Sequence, residues 1–282
     1  MVRDMQTTQL LTDQTTLFRN RARALRAPAL FLHDEAVIEV QERLIEVNKT
    51  FTSPAIVTPF PHLWRKFLPD AHLLADTDTL DLVPGAHDLV VHAMALHWAN
   101  DPVGQLVQCK RALKPDGLFL GLMFGGQTLA ELRSCLAEAE TKVSGGLSPR
   151  VLPMGEIRDL GSLLQRAGFA LSVADSFTRK VLYRDAHHLM ADLRAMGEGN
   201  ALYHRLRQPT RRAVFQTMAK LYHEKFADGD GRIVATFETI CLTGWAPDAS
   251  QQKPLRPGSA THRLAVLLNA DEMPLPREPG GG

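Results

Sequence analysis

The feature that most constrains the fold is an almost unbroken apolar run, GLFLGLMF, at residues 117–124. A strand in a parallel sheet that helices cover on both faces has no solvent side, so it is apolar at nearly every position. The turn sequence KPDG precedes this run, and two glycines follow it. We therefore predict a central strand of a parallel α/β sheet at 117–124.

Shorter strand-like runs alternate with helical apolar spacing along the rest of the chain. These further strands are predicted at 55–58, 71–75, 87–94, 169–173 and 233–243. Strands that alternate with helices form right-handed βαβ units. Side-chain alternation in 233–243 favours an antiparallel or an edge strand. The sequence therefore predicts an α/β, Rossmann-like fold, with a mostly parallel sheet, helices on both faces and an antiparallel last strand.

Three regions are predicted along the chain. Residues 1–50 form an N-terminal arm and helix, and residues 51–246 form the sheet domain, with a helical insertion at about 185–228. Residues 247–282 are rich in Pro, Gly and polar side chains, so we predict a largely flexible C-terminal segment.

Charge and cysteine content exclude several classes of protein. Lys and Arg number 32 against 31 Asp and Glu, so the near-zero net charge gives no broad attraction to nucleic acid or to an anionic membrane. The three cysteines form no CxxC pair, which argues against zinc-ribbon, iron–sulfur and disulfide frameworks and favours a reducing compartment. No apolar run approaches the roughly 18 residues of a transmembrane helix.

The N-terminal residues carry charge of both signs. Asp4 and Asp13 and the lack of an apolar segment argue against a secretory signal. Arginines follow at positions 19, 21, 23 and 26, and form either a solvated arm or a contact for an acidic partner. A transit peptide is the weaker interpretation. We expect a bacterial cytoplasmic protein, with the mitochondrial matrix as the alternative.

Three motifs carry a family resemblance: DLVVHAMALHWAND at 88–101, LKPDGLFL at 113–120 and MFGGQTLAELR at 123–133. The chain resembles the class I S-adenosylmethionine (SAM)-dependent methyltransferase-fold family that includes the mitochondrial complex I assembly factor 5 and its bacterial relatives. The likeness extends over roughly residues 18–262 and includes the segment 192–198. It implies a SAM-binding fold that acts on a protein, with a respiratory complex I subunit as the substrate and arginine hydroxylation as the reaction.

The chain departs from that family at the first strand. The family has an acidic residue and a GxGxG turn there, whereas this chain reads VTPFPHL at 57–63. Glycine reaches positive φ and leaves room beside a ligand, but Pro59 and Pro61 fix φ near −65° and lack an N–H donor. The segment from Thr58 to Ala71 is also short. Either a whole βα unit is missing before Asp76, or Asp76 is itself the ribose-binding acid and the deletion lies later.

Ligands of such sheets bind beyond the carboxyl ends of the strands, so the candidate residues lie there. His97, as a base, and Trp98, as a stacking ring, are the catalytic candidates. The cofactor candidates are Asp76, Met94, Ala95 and His97. The substrate candidates are Phe124, Gly125, Gly126, Gln127 and Arg133. For each of these residues the competing interpretation is ordinary packing, capping or a tight turn.

Histidines invite a comparison with metal sites. His92 and His97 lie near the predicted edge, His187 and His188 are adjacent, and His33 begins an HxE pattern. No carboxylate or cysteine accompanies the first pair at ligand spacing, and His33 lies at a predicted helix start. No metal is therefore predicted, and His92 is expected to be a buried, hydrogen-bonded histidine.

These observations leave two main functional hypotheses. The first is a protein that keeps the fold and binds a protein partner through a degenerate SAM site, as a pseudoenzyme or assembly chaperone. The alternative is an active SAM-dependent protein-modifying enzyme, either a methyltransferase or an arginine hydroxylase. A small-molecule methyltransferase ranks last, because it would need an intact cofactor loop.

Overall fold

The computed structural model describes residues 10–251. Six strands form one sheet: β1 (Pro54–Val57), β2 (His72–Leu74), β3 (His87–Ala93), β4 (Leu113–Phe124), β5 (Ala170–Tyr183) and β6 (Ile233–Trp245). Their order across the sheet is β2-β1-β3-β4-β6-β5. The first four strands are parallel to one another, and β6 runs antiparallel between β4 and β5. The predicted Rossmann-like α/β architecture with an antiparallel last strand is confirmed.

Helices cover both faces of this sheet. They are α1 (Gln14–Ala24), α2 (Phe31–Val47), α3 (Pro61–Phe67), α4 (Pro102–Ala112), α5 (Ala130–Ser144), α6 (Ile157–Arg166), α7 (Ala186–Ala195) and α8 (Arg212–Phe226). Buried side chains of α2, α3, α5, α7 and α8 share one apolar cluster, while those of α4 and α6 share another on the opposite face. Helix α1 contributes Leu17 to a third, smaller cluster.

Strand β4 lies between these two clusters, as the GLFLGLMF run predicts. Leu118, Leu120 and Leu122 belong to the cluster on one face, and Phe119 and Met123 to the cluster on the other. Because consecutive side chains of a strand point to opposite faces, only a continuous apolar run can satisfy both environments.

The far side of the sheet differs from the sequence prediction. Strand β5 extends over 170–183, whereas the pattern indicated only 169–173, and it pairs with almost the full length of β6. Strand β6 is therefore antiparallel but internal, so the edge-strand alternative was wrong for it. Many side chains of the outer strand β5 are exposed. For that reason the pattern of apolar residues did not predict its full length.

At the other edge, β2 pairs directly with β1. Only the short helix α3 connects the two strands, so the chain between Val57 and His72 holds no additional strand. Asp76 therefore follows the strand adjacent to β1.

Within residues 10–251, no helix is long and apolar enough to cross a membrane. Of the described residues, 10–248 form one compact unit, and most of the predicted C-terminal segment, 252–282, lies outside the described residues.

Candidate functional site

The carboxyl edge of the parallel strands holds a cluster of buried polar side chains. Asp76 lies just beyond β2 and its side chain is 5% exposed. Its Oδ2 atom accepts a hydrogen bond from Nη1 of Arg21, whose side chain is 6% exposed. Arg21 reaches this position from helix α1. The carboxylate that the sequence offers for ribose hydroxyls is thus already bonded to a cation of the same chain.

Arg21 was not among the predicted site residues, although the spacing of the four arginines indicated that it differs from the other three. Arg19, Arg23 and Arg26 recur at intervals of four and three residues, which places them along one side of a helix. Arg21 falls off this series and belongs to the opposite, buried side of α1. The arginine cluster is therefore divided between an exposed face and a buried ion pair.

The loop after β1 closes upon itself. The backbone N–H of Phe60 donates to Oγ1 of Thr58 at 3.1 Å, and the Phe60 side chain is 3% exposed. Its ring packs edge-to-face on the ring of His33, with centroids 4.8 Å apart. Pro61 is the first residue of α3, where proline lacks only a donor that the helix does not use. No residue between Thr58 and Leu63 has positive φ.

His97 and Trp98 lie in a short 3₁₀ helix, Leu96–Trp98, directly after β3. Both contact one carboxylate oxygen, Oε2 of Glu198, which lies 3.2 Å from Nε2 of His97 and accepts from Nε1 of Trp98 at 2.7 Å. The His97 ring also lies 4.9 Å from that of Phe124. Glu198 falls within the segment 192–198 that carries the family resemblance, but it was not predicted as a site residue.

The charge state of Glu198 follows from these neighbours. Burial raises the pKa of this carboxyl, but the charge and hydrogen bond of His97, the charge of Arg21 and the Trp98 N–H together lower it further, so the net pKa is below its ordinary value. Glu198 is therefore an anion in this buried cluster.

Two other histidines at this edge are buried and neutral. Burial lowers the pKa of His33 to about 3 and that of His92 to about 4. His92 contacts Oε1 of Gln105 through Nε2 at 2.8 Å, in agreement with the hydrogen-bonded role expected for it. The Nδ1 atoms of His33, His92 and His97 and two nitrogens of Arg21 are buried without a protein partner. The edge is polar but tightly enclosed.

Met94 and Ala95 form the turn between β3 and the 3₁₀ helix. Met94 has a positive φ of 54°, which is unusual for a residue with a side chain. Its N–H donates to the carbonyl of Leu122 at 2.8 Å, and its side chain packs in the main apolar cluster. Ala95 is 1% exposed. Both of these cofactor candidates therefore lie at the edge, but their side chains are buried in the protein.

The substrate candidates after β4 form a turn that packs on β6. A Cβ atom on Gly125 would lie 2.3 Å from Cδ1 of Ile240, and one on Gly126 would lie 2.7 Å from Oε1 of Glu156. The N–H of Gln127 donates to a Glu238 carboxylate oxygen at 2.8 Å. These glycines allow the protein's own side chains to approach closely.

Arg133 and Phe124 have different roles. Arg133 donates to the carbonyls of Thr128 at 3.2 Å and Leu152 at 3.4 Å, which ties the start of α5 to a neighbouring loop.

Phe124 lines a cavity of about 340 Å³ beside the polar cluster. The polar residues of its lining are Asn20, Trp98, Thr128, Arg150, Arg194, Glu198 and Asn200, and most of the remainder are Leu, Met, Val and Phe. Sequence patterns did not predict this cavity, because its walls come from distant segments.

The histidines do not converge on a common point. His187 and His188 are exposed on α7, whereas His92 and His97 are buried beside the sheet. Glu35, the acid of the HxE pattern, pairs with Arg179 at 3.2 Å.

A different set of ligand-type atoms, from Glu39, Asp175 and Cys241, lies within 4.8 Å of one another. Nη2 of Arg43 bonds both carboxylates there, at 2.7 and 2.6 Å, so a cation of the chain already links them. Burial raises the pKa of the Cys241 thiol to about 12, which leaves it protonated.

Comparisons with known proteins agree with the fold. Residues 39–121 match the family model described as "Methyltransferase domain". The mouse (Mus musculus) protein "Arginine-hydroxylase NDUFAF5, mitochondrial" is 42% identical over 206 residues, which cover 73% of this chain and 60% of that protein. The zebrafish (Danio rerio) protein of the same name is 38% identical over 200 residues, covering 71% of this chain and 62% of that protein.

A bacterial relative has a different name. The malonyl-[acyl-carrier protein] O-methyltransferase of Laribacter hongkongensis is 32% identical over 188 residues, which cover 67% of this chain and 61% of that protein. The chain thus spans about three fifths of the length of these relatives. A solved N-methyltransferase from Haemonchus contortus, bound to S-adenosylhomocysteine, has a TM-score of 0.41 and 11% identity and covers 76% of this chain and 53% of its own.

The matched domain contains β1–β3 and the first two motifs, and the similarity to the arginine hydroxylases covers a longer part of the chain. The chain is therefore a class I methyltransferase-fold protein and a relative of the NDUFAF5 arginine hydroxylases, as the motifs at 88–101, 113–120 and 123–133 predict.

Proposed function

We propose that this chain binds a protein partner during the assembly of a respiratory complex and that its SAM site is degenerate. The observation that carries the proposal is the buried bond between Arg21 and Asp76. An acid that is to hold ribose hydroxyls needs its acceptor oxygens facing the ligand, whereas one oxygen of Asp76 accepts from a guanidinium. The residues at this edge therefore do not fit the adenosyl group.

The loop after β1 supports the same proposal. A cofactor cradle needs backbone N–H groups and open space, and the family's glycines supply both. Here two prolines remove donors, and the buried Phe60 ring occupies space beside His33. The similarity to the NDUFAF5 arginine hydroxylases makes a respiratory complex I subunit the proposed partner. The proposed location is a bacterial cytoplasm, and the alternative is the mitochondrial matrix, which the names of those relatives favour.

Calorimetric titration with SAM and with S-adenosylhomocysteine tests this proposal. We expect no heat of binding and no thermal shift. A functional site at a ligand concentration 100 times the Kd would stabilise the fold by about 2.7 kcal/mol, which a thermal shift detects. A micromolar Kd for either compound would overturn the proposal. The variant P59G/P61G/L63G, with glycines restored in the loop, tests whether the loop alone blocks binding.

The second candidate function is an active SAM-dependent enzyme that modifies a protein side chain. One observation favours it: the Glu198 carboxylate lines an apolar cavity next to Trp98. An anion at the end of an apolar cavity can hold a long cationic side chain, such as that of arginine. The same SAM titration decides between the two candidates, because this enzyme must bind the cofactor.

A further inference from the structure

Three arginines surround a surface depression of about 270 Å³ between α1 and α7. Arg23 lies in the last turn of α1, Arg26 follows that helix, and Arg194 lies in the last turn of α7. All three are exposed. In the part of the chain that the structure describes, their guanidinium groups have no hydrogen bond and no ion pair. Each keeps all five of its donors for a ligand.

The depression continues into the apolar cavity. Asn20, Arg194 and Gly199 line both spaces, so the cationic surface and the cavity are parts of one groove. We name it the arginine groove and define it by Arg23, Arg26 and Arg194 together with the cavity. Its outer part offers positive charge, and its inner part offers the side chains of Phe124, Leu132 and other apolar residues.

We propose that the arginine groove binds an acidic peptide segment of a partner protein, with one large apolar side chain in the cavity and carboxylates on the arginines. The inference rests on the proposed partner-binding function and specifies its chemistry. Arginine forms two parallel hydrogen bonds with a carboxylate, and the mutual repulsion of three nearby cations is relieved by an anionic ligand. A cavity of this size is within the range that buries a ligand.

Other anionic partners fit the groove less well. A nucleic-acid backbone has phosphates but no apolar side chain for the cavity, and the net charge of +1 gives no wider attraction to it. A membrane surface contacts protruding residues, whereas the apolar side chains here line a cavity. Of these three partners, the acidic peptide is the one that presents several carboxylates and an apolar side chain at neighbouring positions.

Fluorescence anisotropy with the labelled peptide EELFEE tests the proposal, at low ionic strength and without SAM. We expect micromolar binding that weakens at high salt, with EEGGEE and KKLFKK bound at least tenfold more weakly. The variants R23E/R26E and R194E should each weaken EELFEE about tenfold. The control R158E/R166E reverses two exposed arginines of α6, on the other face of the sheet, and should bind as the wild type does.

The cavity is tested separately with Met190→Trp, which fills it. This variant should reduce EELFEE binding to the level of EEGGEE and leave EEGGEE unchanged. Thermal midpoints within a few degrees of the wild type establish that each variant is folded. The proposal is overturned if EELFEE does not bind, if R158E/R166E weakens it as much as R23E/R26E, or if anionic vesicles or single-stranded DNA bind more tightly than the peptide.

The two proposals fail in distinguishable ways. Absence of peptide binding together with absence of SAM binding overturns the groove assignment and leaves the degenerate site standing. Binding of SAM together with peptide binding overturns the degenerate site and supports the groove.

Discussion

The buried ion pair between Arg21 and Asp76 allows a quantitative prediction about stability. Both side chains are about one-twentieth exposed, so neither charge is solvated by bulk water. A guanidinium does not lose its proton, so in Asp76→Ala the Arg21 charge stays buried without its carboxylate. Removing one partner of a buried pair costs about 3–5 kcal/mol. We expect Asp76→Ala to lower the free energy of unfolding by about that amount.

The opposite deletion should also be destabilising. In Arg21→Ala the buried carboxylate of Asp76 loses the cation that it pairs with. Because a buried charge without a partner is costly, we expect this variant to lower the free energy of unfolding by about 3–5 kcal/mol as well.

Urea denaturation followed by tryptophan fluorescence measures each free energy. The double variant R21M/D76L replaces both charges by apolar groups. We expect its free energy of unfolding to be within about 1 kcal/mol of the wild-type value or to exceed that value. Arg23→Ala, on the exposed face of the same helix, is the matched control and should change stability by less than about 0.5 kcal/mol. A loss below about 1 kcal/mol in Asp76→Ala would refute the reasoning, as would a double variant as unstable as that single variant.

Three further predictions follow from the same contacts. His33 and His92 are neutral in the folded protein, but in the unfolded chain they take up protons below pH 6.5. The free energy of unfolding should therefore fall by about 4 kcal/mol in total from pH 7.5 to pH 5. Urea titration at both pH values checks this, and a free energy that does not change with pH contradicts it. Glu198→Ala removes the carboxylate that the ring nitrogens of His97 and Trp98 contact, and it should lower the free energy of unfolding by about 1–3 kcal/mol. The tryptophan emission should shift as well. Unchanged emission and stability would contradict the contact. Gly125→Ala places a methyl group 2.3 Å from a β6 side chain and should lower the free energy of unfolding by about 1–3 kcal/mol. In the control Gly146→Ala the methyl group meets nothing within 4 Å, so its thermal midpoint should equal that of the wild type.

The amino-acid sequence by itself determined the sheet architecture. The run at 117–124 has no polar side, so it predicts a strand with helices above and below, and β4 lies in that position. Local signals also placed α4, where Asp101 accepts from the Gly104 N–H at 2.7 Å and proline follows at the first helical position. Such features depend on neighbours within a few residues, so a single chain reveals them.

Only the tertiary structure decided what occupies the carboxyl edge. Arg21 meets Asp76 across 55 residues, and Glu198 meets Trp98 across 100, so no periodicity or spacing links either pair. The sequence predicts the change in the loop from its prolines, but it does not predict that a guanidinium from α1 bonds the nearby acid. Which side chains share a buried site is fixed by the packing of distant elements, whereas the elements themselves are fixed by local pattern.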